Sequence, residues 1–264
     1  MEFYKIVGSG NDFVIVDNRG NRIIKKKLLA GKICQSKYGI GADGLILLEK
    51  SRKADFKMRI FNPDGSEAEM CGNGLRCLVR FIQEKNLSKN KHLNIETRAG
   101  IYETIIKGRY IAAKMFFLSK PKLNLSIDVN NENINVHYVN TGVPHTVLFT
   151  EDVENLPIET MGHAIRYHKT FQPAGTNVDW VKIMNPREIK VRTYERGVEG
   201  ETLACGTGVT ASVICACLLK KIKSPVNVIV RSGETLKASF SDDLKNIFLE
   251  GDAKIVFHGD FRLK

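Results

Sequence analysis

The chain has 264 residues, of which 43% are hydrophobic and 26% charged, and its formal net charge is +11. This size and composition are typical of a globular protein of one large domain or two ordinary ones. The opening residues, MEFYKIV, lack the pattern of a secretion signal, and the longest nearly apolar run, Val209–Leu219, is too short to cross a bilayer. We therefore expect a cytoplasmic protein without membrane partners.

The excess of positive charge is spread along the chain, and Lys25–Lys27 is the one tight basic run. Nucleic-acid-binding modules cluster their basic residues on one face or interleave them with aromatic ones. Because neither pattern occurs here, the hypothesis of a nucleic-acid-binding protein is supported by the net charge alone. We expect the charge to attract anionic metabolites instead, with no nucleic acid as partner.

Short β-rich runs alternate with a few helical segments along the chain. The predicted strands, in order, are Phe13–Asp17, Gly44–Glu49, Lys57–Asn62, Leu93–Arg98, Tyr110–Phe117, Val136–Gly142, Trp180–Met184, Lys190–Glu195, Val226–Arg231 and Ile247–Gly259. Many short strands with few helices predict an α+β protein.

Two helices are predicted, and each follows a short motif that we call a cysteine turn: EMCGNG at Glu69–Gly74 and LACGTG at Leu203–Gly208. After the first turn, apolar residues recur at the helical spacing of three and four. After the second, the run VTASVICACLLKK is apolar on nearly every side, which is typical of a helix that is buried all round. A buried helix among many strands predicts a sheet that curls around it.

The two cysteine turns indicate an internal duplication. A shift of the chain by 134 positions places Cys71 on Cys205 and Glu67 on Glu201, and in both places a strand precedes the turn and a helix follows it. The simplest explanation is two similar α+β halves, each with a curled mixed or antiparallel sheet around a central helix.

A cysteine at a helix N-terminus lies beside unpaired backbone N–H groups and the positive end of the helix dipole. These groups favour a reactive thiolate and can bind a carboxylate. Two such thiols on opposite faces of one α-carbon can invert its configuration, because one removes a proton and the other returns one. This chemistry needs no cofactor.

The other four cysteines, Cys34, Cys77, Cys215 and Cys217, have apolar or helix-forming neighbours and are expected to be buried. No C-x-x-C pair or histidine cluster predicts a metal site. A cysteine-nucleophile hydrolase or transferase stays open as an alternative, although it gives the second cysteine turn no role.

Six motifs together resemble the diaminopimelate epimerase family. They are GSGNDF (Gly8–Phe13), GIGADG (Gly39–Gly44), FNPDGSEAEMCGNGLRC (Phe61–Cys77), NTGVPH (Asn140–His145), GTNVDW (Gly175–Trp180) and ERGVEGETLACGTG (Glu195–Gly208). The resemblance implies the diaminopimelate epimerase-like fold and the interconversion of LL- and meso-2,6-diaminopimelate in lysine and peptidoglycan precursor synthesis. It also implies no cofactor, no metal and a homodimer. A related two-cysteine racemase for glutamate, histidine or proline is the alternative.

The same resemblance implies roles for individual residues. Cys71 and Cys205 are expected to be the two proton-transfer bases, with His145 and Glu195 setting their protonation. The substrate-binding residues implied are Asn11, Asn62, Gly72, Asn73, Asn177, Glu195, Arg196, Gly206 and Thr207, among which Gly72, Asn73, Gly206 and Thr207 form the cradle for the reacting carboxylate. The family pattern also returns the C-terminal strand to the first half, which gives domains of 1–117 with about 252–264, and 118–251.

Three positions depart from the family pattern. Val143, Gly44 and Val7 stand where some members carry Asn, Gln, and His or Ser. These departures leave the thiol chemistry intact and bear on how the far end of the substrate is held.

Overall fold

The computed structural model describes residues 1–262, which form eighteen strands and four α-helices. The chain divides into two compact units. The N-terminal unit comprises Met1–Lys114 and the stretch that begins at Glu250, and the C-terminal unit comprises Met115–Leu249. Among residues 1–262, no helix is both long and apolar enough to span a membrane.

The N-terminal unit contains two helices, and all its strands except β18 lie before residue 116. Its elements are β1 (Glu2–Gly8), β2 (Asn11–Asp17), α1 (Lys26–Ile33), β3 (Gly44–Glu49), β4 (Phe56–Phe61), β5 (Glu67–Ala68), α2 (Gly72–Glu84), β6 (His92–Thr97), β7 (Gly100–Lys107), β8 (Tyr110–Met115) and β18 (Lys254–Asp260). The pairing order is β18-β1-β2-β3-β4-β6-β7-β8, antiparallel except at β2–β3 and β4–β6, and β5 is a short partner of β4.

The C-terminal unit has the same kinds of element, except that the counterpart of β18 comes first rather than last in the chain. They are β9 (Lys122–Val129), β10 (Glu132–Asn140), β11 (Pro144–Phe149), α3 (Ile158–Arg166), a 3₁₀ turn (Lys169–Phe171), β12 (Asn177–Asn185), β13 (Glu188–Glu195), β14 (Gly200–Thr202), α4 (Gly206–Leu218), β15 (Val226–Ile229), β16 (Thr235–Phe240) and β17 (Ile247–Asp252).

The pairing pattern of the C-terminal unit repeats that of the N-terminal unit. The order β9-β10-β11-β12-β13-β15-β16 is antiparallel except at β11–β12 and β13–β15, and β14 is a short partner of β13. The parallel pair β2–β3 therefore corresponds to β11–β12, and β18 beside β1 corresponds to β9 beside β10. The α+β fold of two similar halves, predicted from the duplicated turn, is confirmed.

Each unit packs one helix on each side of its strands. In the N-terminal unit, Leu29 and Ile33 of α1 join a cluster that includes Leu45, Leu47 and Phe61. The C-terminal unit has a corresponding cluster around α3, built on Ile158 and Ile165 of the helix and on Trp180 and Tyr194 of the strands. These clusters leave the opposite face of each sheet to α2 and α4.

The helices that follow the cysteine turns are the most buried in their units. Nearly every residue of α2 from Gly72 to Ile82 is buried, and so is nearly every residue of α4 from Gly206 to Ala216. The prediction of an all-round buried helix after the second turn is confirmed. The first residue of each helix is thereby fixed by the packing of the whole helix, which positions the cysteine just before it.

Candidate active site

Cys71 caps the first turn of α2. Its backbone is extended (φ −143°, ψ 120°), and the backbone N–H of Gly74 donates to its Sγ atom at 3.4 Å. Serine, threonine or aspartate usually fills this position with a side-chain oxygen. Here a sulfur atom accepts the N–H instead, so the first turn of α2 directs a donor at the Cys71 side chain.

The Asn73 side chain is oriented by its partners. Arg76 Nη2 donates to Asn73 Oδ1 at 2.6 Å, and Asn73 Nδ2 donates to Asn11 Oδ1 at 2.7 Å. Asn11 Nδ2 then donates to Asp43 Oδ2 at 3.0 Å. Because a guanidinium only donates and a carboxylate only accepts, this order fixes which way both amides face. The structure thus brings together Asn11 and Asn73, two residues that the sequence assigned to substrate binding.

Arg76 is a buried cation that sequence reasoning missed. Its side chain is 1% exposed and donates to Ser9 Oγ at 2.8 Å as well as to Asn73, and it lies 3.4 Å from the carbonyl oxygen of Gly72. Its neighbours in sequence gave no sign of burial, because position 76 lies outside the apolar stripe of α2. Arg76 therefore places a positive charge one helical turn after the first residue of α2.

Asn62 makes its described hydrogen bonds within a turn. It is exposed, and it bonds to Ser66 through both its backbone N–H (2.8 Å) and its side-chain Nδ2 (2.9 Å) in the turn between β4 and β5. None of the hydrogen bonds described for Asn62 reaches Asn11 or Asn73. Its observed contacts are those of a turn residue.

Cys205 caps α4 with a similar extended backbone (φ −116°, ψ 110°) but has different neighbours. Its side chain is buried, and its Sγ atom lies 3.2 Å from Thr207 Oγ1. Thr207 Oγ1 lies 3.0 Å from His145 Nε2. The structure therefore joins three of the residues that the sequence assigned to this site.

The contacts continue inward from His145 to a carboxylate. His145 Nδ1 lies 2.7 Å from Asp179 Oδ2, and both side chains are completely buried. Thr193 Oγ1 donates to the other carboxylate oxygen of Asp179 at 2.7 Å. Sequence reasoning did not single out Asp179, because an aspartate inside the strand GTNVDW gives no sign of facing inward.

Asn177 and Arg196 lie at the edge of this group. The backbone N–H of Arg196 donates to Asn177 Oδ1 at 2.8 Å, and Asn177 Nδ2 donates to the carbonyl oxygen of Pro144 at 2.8 Å and lies 3.5 Å from His145 Nε2. The Arg196 guanidinium bonds to the Ala174 carbonyl oxygen at 2.9 Å and is partly exposed.

Burial and charge both favour protonated groups around Cys205. Burial raises the pKa of the Cys205 thiol well above its usual value, and the carboxylates of Glu195 and Asp179 raise it further, against a smaller lowering by Thr207 and the Gly208 N–H. Burial also raises the pKa of the Glu195 carboxyl. The helix N-terminus was expected to favour a thiolate at this position. At Cys205, burial and the two neighbouring carboxylates act against a thiolate, in the opposite direction to that expectation.

The acidic residue four positions before each cysteine is structural. Arg59 of β4 makes two bonds to Glu67 (2.7 and 2.6 Å), and Arg192 of β13 makes two bonds to Glu201 (2.6 and 2.7 Å). We call each pair an Arg–Glu fork. Each fork ties the strand before a cysteine turn to the short strand that leads into it.

The three departures from the family pattern lie within strands or directly beside one. Gly44 is buried where β3 pairs with β2, and a Cβ atom there would lie 3.0 Å from the carbonyl oxygen of Phe61, which leaves little room for a longer side chain. Val143 and Val7 are half-buried. Within residues 1–262, no three His, Cys, Asp or Glu side chains are grouped so that they could hold a metal ion.

Comparison with known proteins gives a consistent result. A family model described as diaminopimelate epimerase matches residues 3–115 and 137–256. The diaminopimelate epimerase of Aquifex aeolicus is 46% identical over 272 residues, covering 98% of this chain and 97% of that protein, and the Hydrogenobaculum enzyme is 44% identical, covering 97% and 96%.

Solved structures share the fold at low sequence identity. A phenazine biosynthesis protein of the PhzF family from Bacillus anthracis has a TM-score of 0.76 at 16% identity, covering 100% of this chain and 99% of that one. A hydroxyproline epimerase from Agrobacterium vitis has a TM-score of 0.74 at 13% identity, covering 98% and 91%.

Proposed function

The chain belongs to the diaminopimelate epimerase family, and on that basis we propose that it is an isomerase that interconverts LL- and meso-2,6-diaminopimelate for lysine and peptidoglycan precursor synthesis. One observation carries the chemistry. Each unit places one cysteine at the cap of a buried helix, with the backbone N–H groups of that helix beside it. We place this activity in the cytoplasm and propose a homodimer as the active form.

In the proposed reaction, one cysteine acts as a thiolate and removes the proton from an α-carbon of the substrate. The electron pair moves into the adjoining carboxylate. Backbone N–H groups at Gly72, Asn73, Gly206 and Thr207 stabilise this charge as it develops, and removal of a single oxyanion donor from a protease costs roughly 3–4 kcal/mol. The second cysteine, a thiol, donates its proton to the opposite face. The substrate is thereby inverted, and the two sulfur atoms exchange protonation states.

The remaining site residues are proposed to hold the rest of the substrate. Asn11, Asn73 and Asn177 present amide groups whose orientation is fixed by their partners. Arg196 carries a charge suited to a carboxylate. Asn62 is the least supported of the proposed contacts because it is occupied by its own turn.

The experiment is an incubation of the enzyme with LL-diaminopimelate in D2O. We expect meso isomer to form and deuterium to enter Cα. Cys71→Ala and Cys205→Ala should each reduce turnover by at least about 10²–10⁴-fold, the usual contribution of a proton-transfer group. Cys217→Ala, which removes a half-buried thiol from the far end of α4, is the matched control and should keep full activity.

Two results would contradict the proposal. Absence of both meso isomer and label in the unmodified enzyme would exclude epimerase activity on this substrate. Retained acyl-transfer activity in Cys205→Ala would favour a single-cysteine hydrolase or transferase. A panel of glutamate, histidine and proline assayed for Cα exchange tests the alternative specificities.

A further inference from the structure

An unbroken series of contacts runs from Cys205 to a buried carboxylate in the C-terminal unit. Cys205 Sγ lies 3.2 Å from Thr207 Oγ1, which lies 3.0 Å from His145 Nε2, and His145 Nδ1 lies 2.7 Å from Asp179 Oδ2. We propose that Asp179 and His145 are positioning residues. They hold the hydroxyl hydrogen of Thr207 on His145, so that its oxygen accepts from Cys205 and keeps this cysteine protonated, which makes Cys205 the proton donor of the substrate-free enzyme. The inference rests on the proposed function and adds which of the two thiols starts as the acid.

The proton on His145 can be placed from its neighbours. The Asp179 carboxylate can only accept, so Nδ1 carries the hydrogen and donates it to Oδ2. Two donors lie on the other side of the ring: the Thr207 hydroxyl at 3.0 Å and the Asn177 amide at 3.5 Å from Nε2. Both contacts suit an unprotonated Nε2. Asp179 thereby fixes the neutral tautomer of His145.

This tautomer determines the direction of the next two hydrogen bonds. With Nε2 as the acceptor, the Thr207 hydroxyl uses its single hydrogen on His145. Its oxygen lone pairs then face Cys205 Sγ, and they can accept only from a thiol that carries its hydrogen. Every bond in the series therefore donates in one direction, from Cys205 inward to Asp179.

The charges around Cys205 act in the same direction. Asp179 of β12 and Glu195 of β13 both disfavour a second negative charge at the sulfur. The other titratable group of this series is His145 of β11, which is neutral in the tautomer assigned above. Burial adds to the effect and raises the Cys205 pKa well above its usual value.

Different side chains lie at the corresponding place in the N-terminal unit. A Cβ atom on Gly208 would overlap the Asp179 carboxylate and lie 3.1 Å from Thr193 Oγ1. A Cβ atom on Gly74 would instead meet Ile46 Cδ1 at 3.0 Å and Ile60 Cδ1 at 3.3 Å. Two aliphatic side chains thus take the places of the carboxylate and the hydroxyl. The difference assigns the protonated state to Cys205 rather than to Cys71.

The hydrogen-bond series also accommodates the state after proton transfer. When Cys205 gives its proton to the α-carbon, the Thr207 hydroxyl can rotate and donate its hydrogen to the new thiolate. His145 Nε2 then keeps the Asn177 amide as its donor. The proton that Cys205 has lost is now on the α-carbon of the substrate, and the rotation moves no other proton from one group to another, so it needs no further reactant.

The test measures the pH dependence of Cys205 alkylation by iodoacetamide, read by peptide mass spectrometry on the intact substrate-free enzyme. Asp179→Asn removes a negative charge and should lower the pH midpoint by about one unit. Thr207→Val removes a donor to the thiolate and should raise the midpoint, whereas Thr207→Ser should restore it. Both Asp179→Asn and Thr207→Val should lower kcat at least about tenfold with a smaller change in KM.

Thr193→Val is the matched control, because it removes a hydrogen bond from the same carboxylate without touching the bond to His145. It should leave the midpoint in place even where it lowers the thermal unfolding temperature. Shifts of the same sign in Asp179→Asn and Thr207→Val, or no shift in either, would overturn the inference. If Asp179→Asn does not fold, the two thiols of the unmodified enzyme decide: Cys205 should be alkylated with a higher pH midpoint than Cys71, and the reverse order would overturn the inference.

The outcome is separable from that of the proposed function. Loss of epimerase activity in both cysteine variants together with unchanged midpoints would leave the function standing and remove only this inference. Retained epimerase activity in the cysteine variants would remove the two-thiol mechanism on which this inference rests, and absence of both meso isomer and label in the unmodified enzyme would remove the function itself.

Discussion

Gly74 and Gly208 occupy the same position of their helices, three residues after the cysteine, but different side chains lie beneath them. Ile46 and Ile60 face Gly74, whereas Asp179 and Thr193 face Gly208. The strands that carry these residues correspond in the two units. The backbone of the cysteine turn is therefore similar in the two units, whereas the side chains around the thiol differ.

A second difference lies within the helices themselves. Arg76 of α2 contacts the carbonyl oxygen of Gly72, and at the corresponding position of α4 the Thr210 hydroxyl donates to the carbonyl oxygen of Gly206 at 2.8 Å. The first turn therefore has a buried cation beneath it, and the second has a buried carboxylate. Two similar turns with opposite charges beneath them suit two thiols that begin in opposite protonation states.

The largest expected effect comes from adding one methyl group at each of the two glycines. Gly208→Ala forces the Asp179 carboxylate out of its bonds to His145 and Thr193, and we expect a loss of roughly 3–5 kcal/mol in unfolding free energy. Gly74→Ala meets only the ends of two isoleucine side chains, and the gain in helix propensity offsets part of the overlap, so we expect a change within about 2 kcal/mol.

Urea unfolding measures both changes. Trp180 is the single tryptophan of the chain and is buried in the C-terminal unit, so its fluorescence follows that unit, and circular dichroism follows the whole molecule. Equal losses in the two variants would show that the surroundings of the glycines do not differ in the way described.

An intermediate effect is expected from the Arg–Glu forks. Arg192 is buried and donates to the carbonyl oxygens of Val153 and Glu154 at 2.8 Å as well as to the Glu201 carboxylate. Arg192→Met leaves these three acceptor groups without their donor and should lower the unfolding free energy by about 3 kcal/mol. Arg59 is more exposed, and Arg59→Met should cost about 1 kcal/mol.

Thermal unfolding monitored by circular dichroism compares the two forks. Arg231, which lies 3.6 Å from Glu201, remains in Arg192→Met and compensates part of the negative charge of that carboxylate. A larger loss for Arg59→Met than for Arg192→Met would contradict the ranking by burial.

The smallest expected effect concerns Glu195. Burial raises the pKa of its carboxyl in the folded protein, so the folded state holds the proton more strongly than the unfolded state does. This contribution to stability is fully present below the unfolded pKa and is lost as pH rises through the folded pKa. Glu195→Gln should therefore raise the unfolding temperature at pH 8 relative to the unmodified protein, with the advantage shrinking toward pH 4.

Thermal unfolding at a series of pH values provides the measurement. The conservative variant Glu188→Gln, on the same strand, is the control and should show no such pH-dependent gain. A gain of equal size at pH 4 and pH 8 would mean that the effect does not come from the carboxyl proton.

Much of the fold was predictable from the two cysteine turns. Residues before each turn, such as Phe61 and Tyr194, indicated strands, and the apolar runs after them indicated helices that the structure contains. The correspondence of Glu67 with Glu201 was also visible, although its reason, the Arg–Glu fork, depends on which residues pair across β4–β5 and β13–β14. Pairing across strands is not encoded in local composition.

Other elements differ from the prediction. The strand β11 begins with Pro144, which argues against a strand in single-sequence reasoning. The run Ile247–Gly259 was predicted as one strand, but the structure divides it at Ala253, directly after the turn-forming residue types Gly251 and Asp252, a signal that the prediction missed.

Within the candidate site, the residues that sequence reasoning missed are those that act through others. Arg76 and Asp179 each lie in a regular element with ordinary neighbours in sequence, and only packing turns them toward a cysteine turn. The protonation of Cys205 was also out of reach, because desolvation depends on burial that no motif records.

The strand β18 has a consequence for synthesis on the ribosome. It pairs with β1, the first strand of the chain, although all the other strands lie between these two in the sequence. Until translation has passed residue 260, the nascent N-terminal unit therefore carries β1 with one row of backbone donors and acceptors unpaired. An open edge of that kind is a template for foreign strands. The C-terminal unit, which lies wholly within the intervening segment, has all its own strands as soon as β17 emerges.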